Sequence, residues 1–238
     1  MKSKLTYLLF AFLASALLTS CFNMFPCTNG SGNIIKEERA ISNFNRIELQ
    51  TSGDIYFKQG NTHDLRIETD DNLIDLVKTE VKNNVLHIYT EENICPEKMR
   101  FDIILQNLEG IEISGSGNIK CVSDLSINNL SIEILGSGDI RIPSIIANGI
   151  DIQVSGSGDI FMEGKASELR TEINGSGDVK CLGLKVKSAI VEINGSGDFA
   201  IEAEEKLDIE IAGSGNIVYK GNPIIKQEIL GSGDIIKK

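Results

Sequence analysis

The sequence predicts an all-β protein, a single-stranded right-handed parallel β-helix with about 20 residues per coil. Three observations predict it. The string Gly-Ser-Gly-Asp/Asn followed by an apolar residue recurs along the chain, the residues around it alternate with a period of two, and no amphipathic helical pattern follows Gly115. Such a repeat is typical of a solenoid, in which each repeat adds one coil and buries its apolar side chains against the next.

The N-terminal segment is predicted to be a secretory signal. A short basic start precedes an apolar run from Leu5 to Leu18, which is too short and wrongly flanked for a membrane span. The run ends in Leu-Thr-Ser-Cys, which resembles a bacterial lipobox with Cys21 as the lipid-bearing residue. We predict a signal peptide over residues 1–20 and a lipid-anchored tether over 21–33, with acyl chains such as palmitate supplying the membrane affinity. An ordinary signal peptide with a chance cysteine is the alternative.

The first part of the domain is less regular than the rest. Ser52-Gly53-Asp54 is a near copy of the repeat, and Gly30 to Ile34 is a full copy. Two short strands around Asn83-Asn84 predict a hairpin, Phe101 to Leu105 predicts a strand, and Asp75 to Val81 carries a weak helical pattern.

We predict a single β-helix domain over residues 34–238. In it, residues 34–114 form irregular first coils and a cap, and residues 115–238 form the regular repeats. An antiparallel meander, with the glycine turns as hairpin tips at one end, is the alternative architecture.

The regular repeats read as strand, tight glycine turn, strand. The second glycine of the motif recurs at a nearly constant spacing, at Gly117, Gly138, Gly158, Gly177, Gly197, Gly215 and Gly233. Glycine permits positive φ, and Asp or Asn can hydrogen-bond its own backbone in a turn. The residues predicted to point inward are Ile113, Ile134, Val154, Ile173, Ile193, Ile211 and Ile229 before the turn, and Ile119, Ile140, Ile160, Val179, Phe199, Ile217 and Ile235 after it.

Stacking in register would place acidic side chains in two columns. Like charges on neighbouring strands repel, so a column screened by solvent, salt and nearby lysines is the structural interpretation. Carboxylate oxygens also suit Ca²⁺, so a weak divalent-cation or basic-partner surface is the functional hypothesis. One column holds Glu112, Glu133, Glu172, Glu192, Glu210 and Glu228, interrupted by Gln153, and the other holds Asp139, Asp159, Asp178, Asp198 and Asp234, with Asn118 and Asn216.

The cysteines beyond Cys21 match no metal motif. Cys121 and Cys181 occupy equivalent repeat positions, so we expect buried or free thiols there. A secreted protein can form a disulfide between Cys27 and Cys95, but the spacing does not specify one.

Composition and motifs argue against several classes of function. The chain carries 23 Lys and Arg against 34 Asp and Glu, a net charge of −11, which disfavours nucleic acid as a partner. It has two histidines, His63 and His87, so His-dependent catalysis and His-rich metal sites are disfavoured. Strands rather than a helix follow the glycines, which excludes the usual phosphate loops. Arg141, Phe161 and Lys180 vary at one outward position but form no recognisable catalytic trio. We predict no catalytic, cofactor or metal residues.

The chain resembles the bacterial family "putative auto-transporter adhesin, head GIN domain" over about residues 38–235. The resemblance is carried by Ile41 to Ile47, by Ser52-Gly53-Asp54-Ile55, by Asp71-Asn72-Leu73-Ile74 with Thr79-Glu80-Val81, and by the later repeats. It implies a β-helical, often lipid-anchored protein of the cell envelope, and it assigns no catalytic residue.

The predicted function is that of a non-catalytic, lipid-anchored module of the cell envelope, either adhesin-like or structural. Its membrane contact is the lipid on Cys21, as in an outer-membrane lipoprotein facing the periplasm or the outside. Its acidic repetitive surface would contact a polysaccharide, a protein or copies of the same chain, and not nucleic acid. The alternative is a carbohydrate-active β-helix enzyme, a lyase or hydrolase, which needs carboxylates or basic groups that converge on a cleft.

Overall fold

The computed structural model describes residues 26–238, and in that range the chain is a β-solenoid. Its coils pair through parallel strands in one continuous sheet, which confirms the predicted parallel β-helix and excludes the meander. The predicted signal peptide and Cys21 lie outside the described residues. Within residues 26–238 the one helical element is a short 3₁₀ turn, and no helix has the length and hydrophobicity needed to span a bilayer.

The strands of the first part of the chain are short, whereas four later strands have 13 to 15 residues each. The first ten are β1 (Thr28–Asn29), β2 (Ile34–Arg39), β3 (Arg46–Leu49), β4 (Asp54–Gln59), β5 (Asp64–Asp70), β6 (Val77–Lys82), β7 (Val85–Thr90), β8 (Ile94–Cys95), β9 (Met99–Leu105) and β10 (Gly110–Ile113). The others are β11 (Ile119–Cys121), β12 (Leu125–Ser126), β13 (Asn129–Ile134), β14 (Ile140–Val154), β15 (Ile160–Ile173), β16 (Val179–Ile193), β17 (Phe199–Ile211), β18 (Ile217–Lys220), β19 (Ile224–Ile229) and β20 (Ile235–Lys237).

The order of the coils in the stack differs from their order in the chain. Arg46 of β3 pairs with Val85 of β7 on one side and with Gly110 of β10 on the other. The coil made by β3 and β4 therefore lies between the coil of β7 and β9 and the coil of β10 and β11. From β10 onward, each new coil stacks on the previous one. The near-copy of the repeat at residues 52–55 therefore forms a corner, which is the glycine turn between the two strands of a coil. The corner that stacks on it is distant in the chain, because the strands β5 to β9 come between the two.

Antiparallel strands cover the first end of the stack. β5 pairs antiparallel with β9, β2 adds to β5, and β6 forms the predicted hairpin with β7. The hairpin turn is made by Asn83 and Asn84, whose φ values of 51° and 63° suit asparagine. The helical pattern at residues 75–81 is wrong beyond the 3₁₀ turn Ile74–Leu76, because pairing with β7 keeps residues 77–82 extended.

The copy of the repeat at Gly30 to Ile34 does not join the stack of corners. Its turn wraps the buried carboxylate of Asp70, whose Oδ1 accepts a 2.7 Å hydrogen bond from the Gly32 N–H and whose Oδ2 accepts one of 2.9 Å from the Glu97 N–H. Cys27 and Cys95 form a disulfide beside this turn, between the paired strands β1 and β8. The N-terminal segment is thus tied to the cap by a covalent bond and a polar cluster.

The core is a set of aliphatic columns that run the length of the stack. The predicted inward residues are buried on every coil but the last, where Ile229 is 41% exposed and Ile235 is half-buried. Ile229 keeps the predicted inward position, in register with Ile211, but it is exposed because, within residues 26–238, no strand packs on the outer side of β19 and β20. Cys121 and Cys181 are free, buried thiols within these columns, as expected, and burial raises the pKa of Cys181 to about 12.

Candidate functional site

The repeated corner is built on close backbone contact between coils. A Cβ on Gly138 would overlap the carbonyl oxygen of Gly117, and one on Gly136 would overlap that of Gly115. Among the described residues the only glycines with positive φ are Gly32, Gly164 and Gly221, none of which lies in a stacked corner. The predicted reason for the glycines, positive φ, is therefore wrong. They are needed because the corners stack without room for a side chain.

The Asp and Asn residues of the corners form an Asp ladder of backbone contacts. Asp139 Oδ1 accepts a 2.8 Å hydrogen bond from the N–H of Asp159, and Asp159 Oδ1 accepts one of 2.8 Å from the N–H of Asp178. The same contact recurs at every step, and Asn118 shows that an amide oxygen also serves. The ladder consists of Asp54, Asn118, Asp139, Asp159, Asp178, Asp198, Asn216 and Asp234.

This ladder explains the acidic corner in structural terms. At every position but the last, one carboxylate or amide oxygen of the side chain satisfies a backbone donor of the next coil. Among residues 26–238 no group of three or more His, Cys, Asp or Glu side chains is arranged to hold a metal ion.

The Glu stripe is the second acidic column, and the structure brings its members into register. Glu112 pairs with Glu133 on one side and with Glu48 on the other. His87 closes the stripe, with its Nδ1 2.6 Å from Glu48 Oε2. The full stripe is Glu48, Glu112, Glu133, Gln153, Glu172, Glu192, Glu210 and Glu228.

Repulsion within the Glu stripe acts on Glu112. Burial raises the pKa of Glu112, and the carboxylates of Glu48 and Glu133 raise it further, while Arg46 and His87 act in the opposite direction. Farther along, Gln153 separates the charges, and Arg170 lies 2.9 Å from Glu192. Arg46 and Arg170, rather than the lysines that the structural interpretation expected, thus offset part of the repulsion.

A shallow groove lies beside the Glu stripe on the same face of the coils. Its volume is about 840 Å³, and the residues that line it include the small Ser131, Gly149 and Ala189. Charges of both signs line it, from Arg46, Glu109, Asp151, Glu168, Arg170 and Lys206.

A second outer surface, which we call the aromatic–cationic stripe, runs along the strands that follow the corner. It consists of Tyr56, Lys120, Arg141, Phe161 and Lys180, each paired with the next across neighbouring strands. Arg141, Phe161 and Lys180 were singled out in the sequence as variable outward positions, and the structure places them side by side.

Cation–aromatic contacts and ion pairs order this stripe. The guanidinium of Arg141 lies 3.9 Å from the Phe161 ring centroid, within the range of a cation–π contact. Lys180 Nζ lies 2.6 Å from Asp159 Oδ2, and this hydrogen bond, together with that to Asp178, holds the pKa of Lys180 above its ordinary value against the effect of burial. The stripe is therefore connected to the Asp ladder at its Lys180 end.

Sequence reasoning missed Glu48 of the Glu stripe and His87 at its end. It also missed Tyr56 and Lys120 of the aromatic–cationic stripe. Glu48 stands five residues before Gly53, as Glu112 stands five before Gly117, so a signal was present. A signal was also present for Tyr56 and Lys120, because each stands three residues after one of these glycines. His87 had no such signal, because its coil lacks the Gly-Ser-Gly corner.

A β-solenoid with one repeated corner and regular outer stripes is the class that this geometry defines. The chain belongs to the family "Putative auto-transporter adhesin, head GIN domain", whose model matches residues 43–223. The resemblance noted in the sequence is thereby confirmed. No curated protein matches the chain.

Solved structures show the same fold. A "putative adhesin" from Bacteroides fragilis is 28% identical, with a TM-score of 0.81 over 88% of this chain and 99% of that one. A "putative lipid binding protein" from Parabacteroides distasonis is 26% identical, with a TM-score of 0.77 over 90% of this chain and 100% of that one. A "putative adhesin" from Parabacteroides merdae, 21% identical with a TM-score of 0.70 over 89% of this chain and 98% of that one, is similar in fold.

Proposed function

We propose that this chain is a lipid-anchored, non-catalytic adhesin of the cell envelope. The observation that carries the proposal is the outer surface: outward side chains recur once per coil, at the strand separation of about 4.8 Å. A surface of this kind contacts an extended partner at many points. Many weak contacts made at once give a higher overall affinity than any one of them alone. The family and the solved structures described as adhesins support the same role.

The alternative of a carbohydrate-active enzyme is not favoured. The acidic side chains recur along columns, and those of the Asp ladder are engaged by backbone N–H groups. Two carboxylates poised for glycoside cleavage need a defined pairing across a bound sugar, which a uniform column does not provide.

Binding is tested with the full chain purified in detergent, applied to an array of glycans and extracellular-matrix proteins. We expect saturable binding to a subset of them, and no shortening of the bound glycans by size-exclusion chromatography after overnight incubation. Binding to no glycan or protein would contradict the proposal, and depolymerised glycans would favour the enzyme.

The lipid anchor is tested at Cys21. We expect that Cys21→Ala releases the protein from the membrane fraction and abolishes labelling by a radioactive or clickable fatty acid. The matched control is Cys121→Ala, because the thiol of Cys121 is buried in the core and is not the predicted site of the lipid. Continued fatty-acid labelling of Cys21→Ala would rule out this anchor.

Self-association stays a prediction, and the last coil is where the structure favours it. Within residues 26–238, β19 and β20 form the edge of the stack, and Ile224, Leu230 and Ile236 are 80%, 69% and 50% exposed. Edge strands with exposed apolar side chains pair readily with another chain. Light scattering of the detergent-solubilised protein against its Ile224→Lys variant measures this directly.

A further inference from the structure

The aromatic–cationic stripe is chemically unlike the rest of the coil surface. The neighbouring inward position repeats an aliphatic side chain on these coils, whereas this outward position changes from Tyr56 through Lys120, Arg141 and Phe161 to Lys180. On the next coil the same position is an alanine, so the stripe is confined to one part of the face. Stacking of the coils does not require such side chains, because they point away from the core.

Two neighbouring cations lie in the middle of the stripe. Lys120 and Arg141 are exposed and occupy paired positions on adjacent strands, an arrangement that is unfavourable for like charges. Within residues 26–238 neither side chain forms an ion pair, although the protein as a whole carries a net charge of −11. An anionic ligand lying over both would remove this repulsion.

Aromatic rings hold arginine side chains on the same surface. Arg141 packs over Phe161, and Arg100 packs over Tyr56 at 4.0 Å, so one stacked guanidinium stands on each side of Lys120. Stacking fixes the guanidinium plane before a ligand arrives and leaves N–H groups at its edge, which suit carboxylate or sulfate oxygens. Arg100 is already bonded to Asp102 at 2.6 Å, which leaves Arg141 as the arginine with free donors.

The shape of the stripe suits a linear polymer. Its five side chains lie on five adjacent strands, so the stripe is about 19 Å long at about 4.8 Å per strand. It offers about one cation per strand at most, whereas duplex DNA carries one charge per about 1.7 Å of its axis. A polymer with one acidic group per sugar or per disaccharide matches this charge spacing better than a nucleic acid does.

We infer that the aromatic–cationic stripe binds an acidic polysaccharide, a polymer of uronic acids or sulfated sugars, laid along the axis of the solenoid. Lys120 and Arg141 contact its anionic groups, and Tyr56 and Phe161 position the cations and contact sugar faces. This inference deepens the proposed function, on which it rests, by naming the class of ligand that the adhesin would take.

The test measures binding of alginate and dextran sulfate to the full chain in detergent, by biolayer interferometry, with neutral dextran and duplex DNA as comparisons. The variant is Lys120→Ala with Arg141→Ala. The matched control is Lys165→Ala with Lys187→Ala, which removes the same charge from two exposed lysines elsewhere on the coils. Thermal unfolding is recorded for each protein, so that a loss of binding is not confused with a loss of fold.

We expect binding to at least one acidic polysaccharide that weakens about tenfold or more in the stripe variant and stays unchanged in the control, with no binding to neutral dextran. Equal binding of duplex DNA, or acidic-glycan binding that the stripe variant retains, would overturn the inference. If the array detects a ligand of the wild type that the stripe variant binds equally well, the inference fails while the adhesin proposal stands. If the wild type binds nothing on the array, both fail.

Discussion

The side chain of Asp139 binds the backbone of the next coil at Asp159. Its Oδ1 accepts a 2.8 Å hydrogen bond from the N–H of Asp159, which occupies the same corner position one coil further on. The contact explains why either Asp or Asn occupies these positions, since both side chains present an acceptor oxygen at Cγ. The contact gives the corner carboxylates a structural role, which can be tested separately from a cation-binding role.

Replacing Asp139 distinguishes the two roles. We expect Asp139→Ala to lower the free energy of unfolding by about 1–2 kcal/mol, because the Asp159 N–H loses its acceptor. Asp139→Asn should melt within about 1 °C of the parent, because the amide oxygen replaces the carboxylate oxygen. Thermal unfolding by circular dichroism, with and without millimolar Ca²⁺ against matched NaCl, measures both effects. An equal loss of melting temperature in the two variants would indicate that the charge of Asp139 matters and not its acceptor oxygen. The same would follow if Ca²⁺, but not matched NaCl, raised the melting temperature of the parent alone.

The corner glycines should tolerate no side chain. A Cβ at Gly138 meets the carbonyl oxygen of Gly117, which belongs to the backbone of the neighbouring coil and cannot move without separating the coils. We expect Gly138→Ala to cost about 3 kcal/mol or to prevent accumulation of folded protein. Ser137→Ala is the matched control, because Ser137 lies between two glycines of the same corner and is exposed. A Gly138→Ala protein that unfolds at the parent's denaturant midpoint would show that the coils are not packed this closely.

The coil architecture could be predicted from sequence because it depends on local, repeated signals. Each corner carries its own glycines and each strand its own alternation, so register follows once one coil is stacked on another. Even the burial of Ile113 and Ile173 follows from that alternation.

The order of the first coils and the cap could not be predicted in the same way. Arg46 lies beside Gly110 because β5, β6 and the intervening turns carry the chain out to the cap and back, and that excursion has no repeat. The motif copy at Gly30 shows the limit of pattern alone, since the same residues form a turn around Asp70 there. Candidate surfaces were harder still, because the aromatic–cationic stripe joins Tyr56 to Lys120, and the strands β5 to β10 lie between these two residues in the chain.

The inward column is tested at Ile173. This side chain is fully buried, so Ile173→Asp places an unpaired charge in the core, and we expect a loss of more than about 4 kcal/mol, seen as unfolding or a failure of secretion. Ile190 points outward from the next coil and is 40% exposed, which makes Ile190→Asp the matched control. We expect this control to be secreted and to unfold cooperatively. An Ile173→Asp protein that melts like the parent would mean that the inward face is assigned to the wrong residues.

Repulsion in the Glu stripe should make the protein's stability depend on pH through Glu112. Burial raises the pKa of Glu112, and the neighbouring Glu48 and Glu133 raise it further. A carboxyl whose pKa is higher in the folded state than in the unfolded state favours folding where it is protonated. That contribution is fully present below the unfolded-state pKa of about 4.3 and is lost as pH rises through the folded-state pKa.

Glu112→Gln removes this titration while keeping the shape of the side chain. At pH 7 we expect the variant to melt about 1–3 °C above the parent, because the parent then carries a charge that the folded state disfavours. The difference should shrink as pH falls and vanish near about pH 3.5, where the parent's carboxyl is protonated in both states. Glu228→Gln, at the exposed end of the same stripe, should change the melting temperature little at either pH. A variant that melts below the parent at pH 7 would show that Arg46 and His87, the two groups that lower the pKa of Glu112, outweigh its acidic neighbours.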